Sequence, residues 1–168
     1  GYTYEGAPDF GLQAFEDIAA LVRETQAPYA VIMPSASRDD KLWPAEDWHA
    51  VFDALTQRGL ELKLLAGNPA ETARAQALIA GRDNATVLPR LGLQDIAPVL
   101  AAAQVMVGLD SGLTHLSAAL GRPTIGIYKA STPVRTPLVG AGYTASLGDR
   151  GKAPDQHAVL AALKQALG

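Results

Sequence analysis

The segment QVMVGLDSGLTHLSAALGRPTIGIY, residues 104–128, decides the fold of this chain. Residues 104–109 form an almost unbroken apolar run that ends at Asp110. Ser111 and Gly112 make a turn, residues 113–120 continue at helical spacing, and residues 123–128 form a second apolar run. Strand, turn, short helix and strand in that order is a βαβ unit. Apolar runs without polar alternation describe parallel strands covered on both faces.

The same alternation continues in both directions. Upstream, residues 29–33 (YAVIM) read as a strand, and Pro44 opens a helix at its first position, where a missing N–H costs nothing. That helix carries Trp48, Val51, Phe52 and Leu55 and stops at Gly59. Then follow a strand over 60–66, a helix over 69–80, a strand over 86–88 and a helix over 93–102. Downstream, the Gly- and Pro-rich residues 132–151 read as loop with a short strand at 143–147, before a final helix over 154–167. Leu12, Phe15, Ile18, Ala19 and Val22 predict an amphipathic helix over 12–24. Residues 1–11, GYTYEGAPDFG, read as a linker or arm. The expected fold is α/β: a Rossmann-like three-layer sandwich with a mainly parallel sheet, formed by a single domain over residues 12–168.

Composition narrows the function. The 168 residues suffice for one buried core. No stretch approaches the ~20 apolar residues of a membrane-spanning helix. Fourteen Lys and Arg against seventeen Asp and Glu give a net charge of -3, which argues against general binding to a nucleic-acid backbone. Zero cysteines exclude disulfides, thiolate metal sites and cysteine nucleophiles, and fit a reducing compartment. The chain starts at Gly1 rather than Met, as a piece of a longer protein would.

In open α/β sheets, ligands bind beyond the carboxyl ends of the strands, so the residues after each predicted strand are the candidates. After 29–33 comes PSASRDDKLWP, where Ser35, Ser37, Arg38 and Lys41 suit a phosphate; the alternative is a solvated loop in which Asp39 or Asp40 caps the next helix. After 60–66 comes GNPAE, in which Glu71 either complements the helix dipole or holds ribose hydroxyls. After 86–88, PRLGL offers Leu91 and Leu93 as core or rim residues that could wall a pocket. After 104–109, Asp110 would receive sugar hydroxyls or a cation such as Lys41. The N–H groups of Gly112, Leu113 and Thr114 form an anion site, which Ser111 either joins or caps, with His115 on the first turn. After 123–128, Lys129 would add positive potential, while Arg135 reads as a surface residue.

Other chemistries drop out. GxGxxG, GxxxxGK[ST] and GxSxG are all missing. His49, His115 and His157 lack metal-ligand spacing, and Asp39–Asp40 is flanked by Arg38 and Lys41, a poor setting for a metal cation. No metal ligand set and no catalytic residue is assigned.

Taken together, SRDDKLWP, GNPAE and DSGLTHLSAALGRPTIGIY resemble the ADP-heptose:lipopolysaccharide heptosyltransferases of glycosyltransferase family 9, which have the two-domain GT-B fold. The resemblance spans nearly the whole chain. DSGLTHL is shared across the family, whereas RDDKxWP points to the branch that adds the first heptose to the Kdo-lipid A inner core. The resemblance implies a C-terminal, donor-binding half. Ala36, Ser37 and Lys41 would approach the nucleotide and diphosphate of ADP-heptose, Glu71 would hold the ribose, and Leu91 would pack near the adenine. Asp110 would take heptose hydroxyls, with Ser111, Gly112 and His115 around the diphosphate.

It also implies transfer with inversion, ADP as product, and no cofactor beyond the sugar nucleotide. The acceptor and the general base, an Asp, would belong to an N-terminal domain absent from this chain, with residues 1–11 as the interdomain linker. The chain alone would then transfer no heptose. The parent protein would be a cytoplasmic monomer, peripheral at the inner face of the inner membrane. Two departures stand out. A hydroxyl residue is common in the family where Ala36 stands, and the loop after Tyr128 often reads GPT where this chain has KAST. The rival readings are another GT-B transferase, a sugar-nucleotide epimerase with a similar half, and a non-catalytic nucleotide-binding module.

Overall fold

A computed structural model of the chain describes residues 10–12, 14–35 and 41–168. In chain order the elements are α1 (Ala14–Thr25), β1 (Tyr29–Met33), α2 (Ala45–Gln57), β2 (Glu61–Leu64), α3 (Pro69–Leu78), β3 (Ala85–Val87) and α4 (Leu93–Ala102). They continue with β4 (Val105–Leu109), α5 (Gly112–Ala119), β5 (Thr124–Tyr128), β6 (Thr144–Gly148) and α6 (Gln156–Leu167). The six strands form one sheet in the order β3-β2-β1-β4-β5-β6, and every neighbouring pair is parallel.

The sequence winds outward from β1 to one edge, returns, and winds outward from β4 to the other. Neighbouring β1 and β4 therefore send their following connections to opposite sides, which opens a crevice at the carboxyl ends of these two strands.

The apolar runs of β1, β4 and β5 are buried at every position, yet their side chains still alternate between faces. Ala30 and Ile32 pack with Trp48, Phe52 and Leu55 of α2 and Val159 and Leu163 of α6. Tyr29, Val31 and Met33 pack with Ala19 of α1 and Ile96 and Leu100 of α4. A helical layer on each side of the sheet explains why these strands are almost wholly apolar, Thr124 being the buried polar exception.

At the joint between β4 and α5, a Cβ on Gly108 would stand 2.6 Å from Thr114 Oγ1 and 3.0 Å from Met33 Cβ. Only glycine lets the helix sit this close, and the Thr114 hydroxyl donates to the Leu109 carbonyl at 2.7 Å.

Some expectations shift. Ile18, expected on the buried stripe of the first helix, is 49% exposed. α1 packs chiefly on α4 rather than on the sheet, so its buried stripe narrows to Ala19, flanked by the half-buried Phe15 and Val22. Pro44 is the N-cap of α2 rather than its first helical residue, with ψ of 145°, and its carbonyl accepts from the Trp48 N–H at 3.2 Å. The last helix begins two residues later than expected because Asp155 caps it, its Oδ1 accepting from the Ala158 N–H at 2.8 Å. No described helix is long and apolar enough to cross a membrane.

Candidate functional site

Asp110 follows β4 directly and stays tied to the sheet, its N–H donating to the Ile127 carbonyl at 3.1 Å. Its carboxylate, 15% exposed, lies where three loops meet. His115, one turn into α5, donates from Nε2 to Oδ1 at 3.0 Å. Ser131, from the loop after β5, donates to Oδ2 at 2.5 Å. Lys41, from the loop after β1, holds its ammonium 3.8 Å from Oδ2 and 3.3 Å from the Asp110 carbonyl oxygen. Lys41 and Asp110 thus meet across the crevice between β1 and β4. The cationic neighbour expected for Asp110 is the one found.

Ser111 resolves in favour of the cap. It adopts an extended backbone, its Oγ accepts from the Thr114 N–H at 3.4 Å, and it shares a 3.0 Å hydrogen bond with Thr114 Oγ1. The Thr114 N–H is thereby engaged, a correction to the three-donor anion site. Those of Gly112 and Leu113, first in the helix, have no intrahelical acceptor. Nothing lies within 4 Å of where a Gly112 side chain would start, so the backbone there is open to close approach. Beside it lies a shallow depression of about 350 Å³, with Gly112, His115 and Leu116 on one wall and Pro137 and Val139 on the other.

Glu71 is buried in a reciprocal cap. Its Oε2 accepts from the Gly67 N–H at 2.7 Å and its Oε1 from Asn68 Nδ2 at 3.0 Å, while Asn68 Oδ1 accepts from the Glu71 N–H at 3.0 Å. Each carboxylate oxygen keeps further acceptor capacity. Leu91 is half-buried against the second core cluster, whereas Leu93 is 67% exposed. Ala36 and Ser37, together with Arg38, Asp39 and Asp40, lie outside the described residues.

Lys129 has a specific partner as well as a charge. Its ammonium donates to the Leu42 carbonyl at 2.9 Å and so braces the loop that carries Lys41. Trp43 Nε1 ties the same loop to the Pro154 carbonyl at 2.9 Å. The loop after β5 is itself anchored: the Tyr128 hydroxyl donates to the Thr136 carbonyl at 2.6 Å, and the Gly151 N–H to the Lys129 carbonyl at 2.6 Å. Burial raises the Tyr128 phenol above its ordinary pKa. Arg135 is exposed, as expected.

Sequence reasoning missed Ser131. The available signal was its place three residues past β5, on the third loop bordering the crevice. His49 and His157 are exposed and take no part in the cluster. Among the described residues, no group of three or more His, Asp or Glu could hold a metal ion.

The fold and the cluster define a doubly wound, Rossmann-like α/β domain with its polar residues gathered at the switch point of a parallel sheet. Residues 1–165 match glycosyltransferase family 9 (heptosyltransferase), and the chain belongs to this family. It is 45% identical over 106 residues to lipopolysaccharide heptosyltransferase 1 of Salmonella typhimurium, a match covering 63% of this chain and 33% of that protein. The structure of E. coli heptosyltransferase WaaC with ADP matches it with a TM-score of 0.79 at 31% identity, covering 99% of this chain and 52% of that one. The structure of the same enzyme with ADP-2-deoxy-2-fluoro heptose matches with a TM-score of 0.68 at 36% identity, covering 84% of this chain and 43% of that one. The matches thus take in from a third to a half of the length of these proteins.

Proposed function

We propose that this chain is the donor-binding half of a lipopolysaccharide heptosyltransferase of the heptosyltransferase I type. It holds ADP-heptose while heptose passes, with inversion, to the Kdo-lipid A inner core. The observation that carries this reading is the meeting of Lys41, Asp110 and His115 at the switch point, beside the open N-terminus of α5.

The chemistry is coherent. The diphosphate sits at the N–H groups of Gly112 and Leu113, favoured by the helix dipole, with Lys41 as a point charge and His115 alongside. Asp110 would repel a diphosphate if it stood alone. Its engagement by Lys41 and His115 offsets that charge, and its remaining acceptor capacity takes heptose hydroxyls. Glu71 offers its free lone pairs to the ribose, Leu91 borders the adenine, and Ala36 and Ser37 approach the nucleotide. The acceptor and the general base belong to an N-terminal domain joined through residues 1–11. In this reading the whole enzyme is a cytoplasmic monomer, peripheral at the inner face of the inner membrane, and needs no cofactor.

Titration of the 168-residue chain with ADP-heptose, UDP-sugars and GDP-sugars tests the reading. Binding of ADP-heptose in preference to the others is expected, with no heptose transferred to Kdo-lipid A by this chain alone. Equal binding of UDP-sugars would overturn the donor assignment. Turnover by the isolated chain would overturn the division of labour.

A further inference from the structure

A carboxylate offers about four lone-pair sites, two on each oxygen. At Asp110, His115 occupies one site on Oδ1 at 3.0 Å and Ser131 one on Oδ2 at 2.5 Å. The Lys41 ammonium is 3.8 Å from Oδ2, beyond hydrogen-bond length, and instead bonds the Asp110 backbone carbonyl at 3.3 Å. Among the described residues one acceptor site on each oxygen is left over, and the side chain keeps 15% of its surface exposed. Two acceptors fixed about one carboxylate width apart suit a pair of neighbouring hydroxyls on a sugar ring.

Torsion about a carboxylate's last single bond is soft, so this presentation needs a brace on each side. His115 supplies one from the same strand–helix turn. Ser131 supplies the other, from a loop anchored at Tyr128–Thr136 and Lys129–Gly151. If the Ser131 hydroxyl were removed, Oδ2 would be free to turn toward Lys41 and close a full salt bridge. That would consume an acceptor meant for the sugar and the charge meant for the diphosphate.

We infer that Ser131 is a positioning residue for sugar recognition: its hydroxyl holds the Asp110 carboxylate so that two acceptors face the hexose-like ring of the donor and Lys41 stays available to phosphate. The inference rests on the donor-binding reading above.

The test is a calorimetric titration of the 168-residue chain and its Ser131→Ala and Ser131→Thr variants with ADP-heptose and with ADP, which lacks the sugar. Ser131→Ala is expected to weaken ADP-heptose binding about five- to tenfold while ADP binding stays within about twofold. Ser131→Thr, which keeps the hydroxyl, is expected to restore the ADP-heptose preference. Equal losses for both ligands would mark a purely structural residue and overturn the inference, as would an unchanged ADP-heptose affinity or a Thr variant that behaves like Ala. In each of those cases the donor-binding reading survives. A wild-type chain that binds neither ligand would overturn that reading, and the inference with it.

Discussion

Two of the carboxylates that follow strand ends, Glu71 and Asp110, are used in opposite ways. Among the described residues Glu71 bonds only to Gly67 and Asn68, four and three residues away, and closes the N-terminus of its own helix. Asp110 bonds to His115 five residues on, Ser131 twenty-one residues on, and Lys41 sixty-nine residues back. The first is a local capping device that any well-formed helix can use. The second joins three connections that the parallel topology alone brings together, which is how a switch-point site is made. Position after a strand therefore does not by itself make a carboxylate the hub of a switch-point site. The span of its partners does.

The sharpest way to break this contrast is to delete each group in turn. Asp110→Ala is expected to show the largest effect, a loss of roughly 1.5–3 kcal/mol of ADP-heptose affinity by calorimetry, with the melting temperature little changed. Lys41→Ala should follow, lowering ADP and ADP-heptose affinity together by about 1–2 kcal/mol, because its charge serves the diphosphate common to both. Glu71→Ala is expected to register first as stability. It leaves the Gly67 N–H without its acceptor and costs about 1–2 kcal/mol, a drop of about 3–8 °C in melting temperature. An Asp110→Ala variant that melts early yet binds normally, paired with a stable Glu71→Ala variant, would invert the comparison.

The contrast also explains what could be read from the sequence. The alternation of elements was legible because β1 and β4 are unbroken apolar runs, β5 is nearly one, and helices carry local start signals: Pro69 at the start of α3, Ser111 and Gly112 at the start of α5. The place of Glu71 in the first turn of a helix was legible too, as dipole complementarity, whereas its reciprocal bonds with Gly67 and Asn68 appear only in the structure. The role of Ser131 was not legible: its place three residues past β5 puts it on a bordering loop, but only the parallel pairing of β4 with β5 brings that loop to Asp110. Lys129 is similar. Its charge was legible, but not that its ammonium donates to the Leu42 carbonyl, eighty-seven residues away in sequence. The exposure of Ile18 was hidden too, because helical spacing reports a stripe but not how wide a neighbour covers it.

The central claim is that the donor lies at the carboxyl ends of β1, β4 and β5. Backbone amide chemical shifts followed by NMR as ADP-heptose is added test it most directly. The largest changes are predicted at Gly112, Leu113 and Ser131, with Lys41 and Asp110 moving in step. Changes centred instead on the depression beside β6, lined by Gly148, Asp149, Lys152 and Asp155, with Gly112 and Ser131 unmoved, would contradict it.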